Sequence, residues 1–217
     1  MAKVPYGTLL PDILPQVLSC PRPSVLRAVQ VAASDFFEAS QAWTFEVWEP
    51  LIPGCVTVEI SGLPDETRIV VPLELYIGEN KPPLKTANER MLRDEYGAWR
   101  SLSAPQPKYV MTADHSPNEL VVAPMLNTGG EGVLTGKVAI KPVRLASGME
   151  EAVLDEFADG IVAGALARLL NVRNSEWYAP NEAQLHSRAY AARIQEAKQR
   201  GQKANTSRIV TTTYGGY

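Results

Sequence analysis

The sequence predicts an α+β protein: a three-helix bundle with an inserted antiparallel β-rich domain and an extended C-terminal arm. Three observations predict it. Helical periodicity dominates both ends of the chain, strand-like alternation dominates the middle, and the last residues follow neither period. The helical domain is read as residues 1–45 and 146–203, the β-rich insertion as 46–145 and the arm as 204–217. Composition fits a folded globular chain, with 45% hydrophobic and 21% charged residues.

The stretch from Ser147 to Trp177 is the centre of the helical part. Ser147 and Glu150 have the S-x-x-E spacing of a capping box, so a helix is expected to start there. Glu150, Glu151, Asp155, Glu156 and Asp159 crowd its first turns, where the positive end of the helix dipole favours acids. Leu154, Phe157, Ile161, Ala165 and Leu169 make one apolar stripe, and Val162, Leu166 and Leu170 widen it. Gly160, Ala163, Gly164 and Ala167 form a flat opposite side. Between Gly160 and Leu170 the one charge is Arg168. A helix apolar on all sides is a buried helix. This run is too short to span a bilayer, which needs about 20 residues. With two other substantial helices available, the pattern predicts that copies of the chain complete its cover. The interface is assigned to Gly160, Gly164 and Arg168, with an acid of an adjacent subunit facing Arg168.

The opening residues, through Cys20, are apolar but interrupted by Pro5, Pro11 and Pro15, which bar one long helix. Val4, Tyr6, Leu9, Leu10, Ile13, Leu14, Val17 and Leu18 are expected to pack on the core, with a short helix between Leu10 and Leu18. They lack a basic segment followed by a continuous apolar run, so no secretory leader is read. Cys20 and Cys55 are read as reduced thiols of a protein made in the cytosol.

Pro21-Arg22-Pro23-Ser24 introduces a helix of about 20 residues. Val25, Val29, Ala32, Phe36, Ser40 and Trp43 face one way; Arg27, Gln30, Ser34 and Glu38 face the other. Strands are then expected around Val56–Ile60, Leu73–Ile77 and Val133–Arg144. A hairpin is expected from Tyr109–Ala113 and Leu120–Ala123 across Asp114-His115-Ser116-Pro117-Asn118. A short exposed helix is expected over Ala87–Glu95. Pro180-Asn181 starts a third long helix, running to about Gly201, with Ala183, Tyr190, Ile194 and Ala197 on a weak stripe. Pro180–Tyr217 holds six Lys/Arg against two Glu in a chain of net charge −3, which reads as a solvated basic helix and tail, or alternatively as an electrostatic docking arm for an acidic partner.

Sites for chemistry are sparse. The chain has two histidines, His115 and His186, and neither cysteine has a Cys or His at metal-ligand spacing. No metal or cofactor is expected. Asp114-His115-Ser116 reads as a polar turn, because triad members are normally distant in sequence. The run from Gly130 to Lys137 fails the phosphate-loop register, since Glu131 stands where Gly is needed and Val138 replaces the hydroxyl residue. The basic C-terminal part lacks the aromatic interleaving of a single-strand binder. A hydrolase would have to gather Asp114, His115 or Glu119 in a cleft, and a carbohydrate module would line a groove with Trp48, Tyr76 and Trp99.

Two stretches together resemble a known family. PQVLSCPRPSVLRAVQVAASDFFEASQAWTFE contains Cys20-Pro21, then Leu26, Arg27, Ala28, Ala32, Ala33 and Phe36, then Trp43. GALARLLNVRNSEWYAPNEAQLHSRAYAARIQEAK contains Gly164, Ala165, Leu166, Arg168, Leu169 and Leu170, then Trp177 and Pro180. With the terminal Tyr214-Gly215-Gly216, their order and spacing resemble the bacteriophage head-to-tail adaptors, the connector or tail-tubular-type neck proteins. Phe37 departs from the Cys expected in many relatives; both are buried residue types.

The resemblance implies a structural virion protein with no catalysis, present in the neck and assembled in the host cytoplasm. It implies a homo-oligomeric ring, commonly a dodecamer, between the portal protein and a downstream tail or nozzle protein, around a channel through which viral DNA passes. No membrane is involved. It also implies that the C-terminal arm docks to the portal, through Arg208, Ile209, Val210, Thr211, Tyr214, Gly215, Gly216 and Tyr217. A tail-completion or baseplate protein is the alternative within virion structure.

Overall fold

The computed structural model describes residues 2–78, 82–114, 116–127 and 132–205. The architecture is mixed α+β, with helices and several mainly antiparallel sheets. Strand β1 (Lys3–Pro5) leads through a 3-10 turn into α1 (Leu10–Ile13), a single turn continued as 3-10 by Leu14–Gln16. Of the residues expected to pack here, Tyr6, Leu9, Ile13 and Val17 are buried, Val4, Leu10 and Leu14 are half-buried, and Leu18 is 85% exposed.

Helix α2 (Arg22–Ser40) carries Pro23 in its first turn, where the missing N–H costs nothing. It ends at Gln41, whose left-handed φ of 55° turns the chain while its N–H donates to the Phe37 carbonyl at 3.0 Å. Val25, Val29, Ala32, Ala33, Phe36 and Phe37 are buried on it. Ser34, placed by periodicity on the outer side, is buried too. Gln30, from the same side, donates to the Ala146 carbonyl at 3.0 Å. The segment after the central sheet therefore covers part of what the sequence alone reads as a solvent face.

Strand β2 (Thr44–Pro50) follows, then β3 (Thr57–Glu59) and the long β4 (Thr67–Ile77). After β5 (Lys85–Thr86) comes α3 (Glu89–Tyr96), whose Asn88 cap accepts from the Met91 N–H at 2.8 Å. Next come β6 (Ser103–Ala104), β7 (Tyr109–Thr112), β8 (Glu119–Ala123), β9 (Met125–Leu126) and β10 (Val133–Pro142). The expected hairpin forms as β7 against β8. The central sheet has the order β2-β10-β4, antiparallel throughout, and a second has the order β3-β8-β7-β5. A small cluster of Leu92, Trp99, Tyr109, Val121 and Ala123 lies under α3.

Strand β11 (Gly148–Glu150) pairs with β1 and leads directly into α4 (Glu151–Leu169). The capping box expected at Ser147 does not form. The Ser147 N–H and hydroxyl both donate to Glu66 Oε2, at 2.6 and 3.0 Å, and the next three residues are extended. Helix α5 (Pro180–Asn205) returns along α4. The main hydrophobic cluster is continuous from Tyr6 through α2, α4 and α5 into Leu75, Leu134, Val138 and Ile140 of the central sheet. Each of these large apolar side chains contributes about 1.5–3 kcal/mol on burial.

Candidate functional surfaces

The seam joining α2, α4 and α5 contains the three positions assigned to a subunit interface. A methyl group on Gly160 would stand 2.7 Å from Phe36 Cε2, and one on Gly164 would stand 2.5 Å from Tyr190 Cε2. The two glycines therefore let α2 and α5 side chains of the same protomer lie directly on the α4 backbone. Phe36 forms a ring cluster with Phe37, Phe157 and Tyr190, with centroids 5.3–6.0 Å apart. Tyr190 donates its hydroxyl to the Ala32 carbonyl at 2.9 Å. Burial, opposed by the Arg168 charge and aided by Asp35, pushes its phenol up to about 12.

The acid facing Arg168 is Asp35 of α2, in the same chain, and the guanidinium also stands 6.0 Å from the Tyr190 ring centre. Gly160, Gly164 and Arg168, the three residues assigned to a contact between copies, thus all have close neighbours within the protomer. Most of the second half of α4 is covered by its own protomer, with Gly160, Ile161, Ala163, Gly164, Ala165, Leu166 and Leu169 buried and Val162, Ala167 and Arg168 half-buried. Two helices cover this much because the glycines allow close approach, and the N-terminal segment adds further cover. A ring therefore rests on the resemblance and not on the apolar character of this helix.

Further along the seam an ion-pair lattice joins α4 to α5. Arg193 contacts Asp159 at 3.3 Å and Glu196 at 3.0 Å; Arg200 contacts Glu196 at 2.6 Å and Glu156 at 3.7 Å. Arg193, and then Arg200, hold the Glu196 carboxyl below its ordinary range. Glu156 and Asp159, two of the acids in the first turns of α4, thus have partners on α5.

Residues Arg208, Ile209, Val210, Thr211, Tyr214, Gly215, Gly216 and Tyr217 lie outside the described residues, as does His115. Asp114 and Glu119 line a polar depression with Arg68, Thr112 and Ser116. His186 sits on the surface with its Nε2 3.1 Å from Gln16 Oε1. Among the described residues no group of His, Cys, Asp and Glu side chains is arranged to hold a metal. No helix there is long and apolar enough to cross a membrane. Cys20 is buried and Cys55 exposed.

Of the three aromatics weighed for a carbohydrate groove, the sheet aligns two. Trp48 of β2 and Tyr76 of β4 both register with Thr135 of β10, so they flank it on one sheet face. Trp99 is buried in the separate cluster under α3. No groove of all three exists.

Two features escaped the sequence reading. Glu66 gathers Lys3 Nζ at 2.7 Å and both Ser147 donors, and these bonds hold its carboxyl below the usual range. The second is the outer edge of β2. Ile140 N–H donates to the Trp43 carbonyl at 2.8 Å, and Leu51 N–H donates to the Gly132 carbonyl at 2.8 Å. In an antiparallel pair, bonded and non-bonded positions alternate. Odd-numbered β2 residues therefore bond β10, and Thr44, Glu46 and Trp48 turn their backbone groups outward. Among the described residues no backbone hydrogen bond reaches them. Trp48 on this edge is 69% exposed. No family model matches the chain, and no curated protein matches it.

Proposed function

We propose that the protein is a bacteriophage head-to-tail adaptor. In this reading α2, α4 and α5 form a three-helix bundle, the β-rich segment is an insertion, and residues 204–217 are an extended arm to the portal. Copies assemble as a ring, a dodecamer on the family pattern, between the portal and the next tail protein, in the virion neck. The mechanism is geometric: the ring matches the portal above and the tail below, and leaves a channel for DNA. A closed ring repeats one heterologous contact by rotation.

One observation carries the reading. The two stretches that resemble the adaptors, 15–46 and 164–198, are far apart in sequence yet pack on each other. Phe36 of the first lies against α4 and against Tyr190 of the second, and Tyr190 in turn bonds Ala32. Residues shared with a family at both ends of a chain are expected to meet when they serve one common body.

Electron microscopy of the purified protein, alone and mixed with the portal of its own phage, tests this. Rings stacked on portal particles are expected. A chain truncated after Lys203 is expected to fold and to leave the portal bare. Full docking by the truncated chain would remove the arm from the mechanism. Monodisperse monomers that ignore the portal would remove the adaptor reading.

A further inference from the structure

The free edge of β2 lies beside the place where α5 delivers the end of the chain. A methyl group on Gly201 would stand 3.8 Å from Ala42 Cα and 3.9 Å from the Gln41 carbonyl oxygen. Ala42 is two residues before β2 begins. The described part of helix α5 runs to Asn205, about 6 Å farther along its axis at 1.5 Å per residue. Twelve residues follow, with a reach of about 40 Å when extended.

The groove beside the start of β2 has a volume of about 560 Å³. Trp43, Phe45 and Met149 supply its apolar surface, and Glu46, Asp65 and Glu150 supply acids. Lys3 also lines it, but its ammonium is already engaged by Glu66 at 2.7 Å. The groove therefore favours an extended segment carrying a positive charge near its start.

We propose that residues 206–217 of the same chain occupy this edge as an added strand, parallel to β2. Arg208-Ile209-Val210-Thr211-Thr212-Thr213-Tyr214 is rich in β-branched residues, which fit a pleated, half-buried surface. Arg208 is the single charged side chain in the segment. It stands three residues beyond Asn205, about 10 Å of extended chain, within reach of the acidic start of the groove. Alternate residues of a strand share a face. With Arg208 beside Glu46, Val210 falls beside Trp48 and covers part of its exposed indole. The added strand supplies backbone partners to Thr44, Glu46 and Trp48, as in recognition by strand addition. It also closes an edge that would otherwise invite pairing between molecules. The inference concerns the isolated protomer and does not depend on the portal; docking there would first require the strand to be released.

Amide hydrogen exchange, read residue by residue by NMR, tests it on the isolated full-length protein and on a chain ending at Asn205. The amides of Thr44, Glu46 and Trp48 are expected to exchange at least tenfold faster in the truncated chain, with α2 and α4 amides unchanged. Equal exchange at the three edge amides would overturn the proposal and leave portal docking unaffected. A second measurement places cysteines by E46C and R208C in a C55S background. A disulfide within one chain at low micromolar concentration is expected. Disulfides formed only between chains would assign the edge to a second copy and overturn the proposal, as would no disulfide at all.

Discussion

A side chain at position 164 has nowhere to go. A methyl group there would meet the Tyr190 ring at 2.5 Å, and that ring is pinned by its hydroxyl on the Ala32 carbonyl. Gly164→Val is therefore expected to cost about 2–3 kcal/mol, in the range of an overpacked core. The shift of the urea midpoint measures it, and Ala167→Val on the half-buried side of α4 is the control. Arg168 behaves differently. Its pair with Asp35 is more than a third exposed on both sides, so solvent screening limits it to under about 1 kcal/mol. Arg168→Met is expected to leave the association state unchanged by sedimentation. An altered state would revive a contact between copies at this residue. Tyr190 carries a pH dependence. Its folded-state pKa is raised, so the unfolded chain loses that proton first as pH rises. The stability is complete below about pH 10, the ordinary tyrosine value, and drains away toward 12. Urea midpoints across this window are expected to fall more steeply in the native protein than in Tyr190→Phe, which cannot ionise.

At the scale of elements, α5 is held by two unlike means. Its first half relies on Ala183 and Tyr190, and its second half adds the ion-pair lattice to Ala197. Removing both arginines, in Arg193→Ala with Arg200→Ala, is expected to accelerate amide exchange over residues 194–201 while residues 183–190 keep their protection. High salt is expected to act in the same direction, since exposed charges are screened within about 10 Å at 0.1 M. The elements also differ in how far the sequence announces them. Helices α2, α4 and α5 repeat apolar residues over several turns, and the β7–β8 hairpin alternates around a Pro-Asn turn, so local pattern was enough. Strand β2 carries no such signal. Thr44–Pro50 puts aromatics on both faces, Phe45 on one and Trp48 on the other, and so has no single strand phase. Strands β1 and β11 are three residues each and owe their conformation to one another across most of the chain. The capping box failed for a related reason. Its serine spends its donors on Glu66, a residue far away in sequence. The partner of Arg168 was invisible because nothing local marks Asp35 as facing it.

The whole molecule has one main core. Val138 and Ile140 of the central sheet belong to the same cluster as Phe36 and Phe37 of α2. A β-rich insertion with its own separate core would unfold apart from the helices. The continuous cluster predicts a single urea transition, with far-ultraviolet circular dichroism and tryptophan fluorescence falling together. Two separated transitions would show that the insertion is an independent unit. A ring would add a concentration dependence to that transition, because assembly stabilises only the folded state.

The pairing of Lys3 with Glu150 joins the beginning of the chain to its last third. During translation, the first strand and the aromatic side of α2 must wait for α4 to leave the ribosome. At roughly 5–20 residues per second, that delay is on the order of ten seconds. Throughout it, Phe36 and Phe37 have neither Phe157 nor Tyr190 to cover them. The nascent chain is therefore at its stickiest midway through synthesis, and a chaperone that shields its early segments would raise the yield of soluble protein.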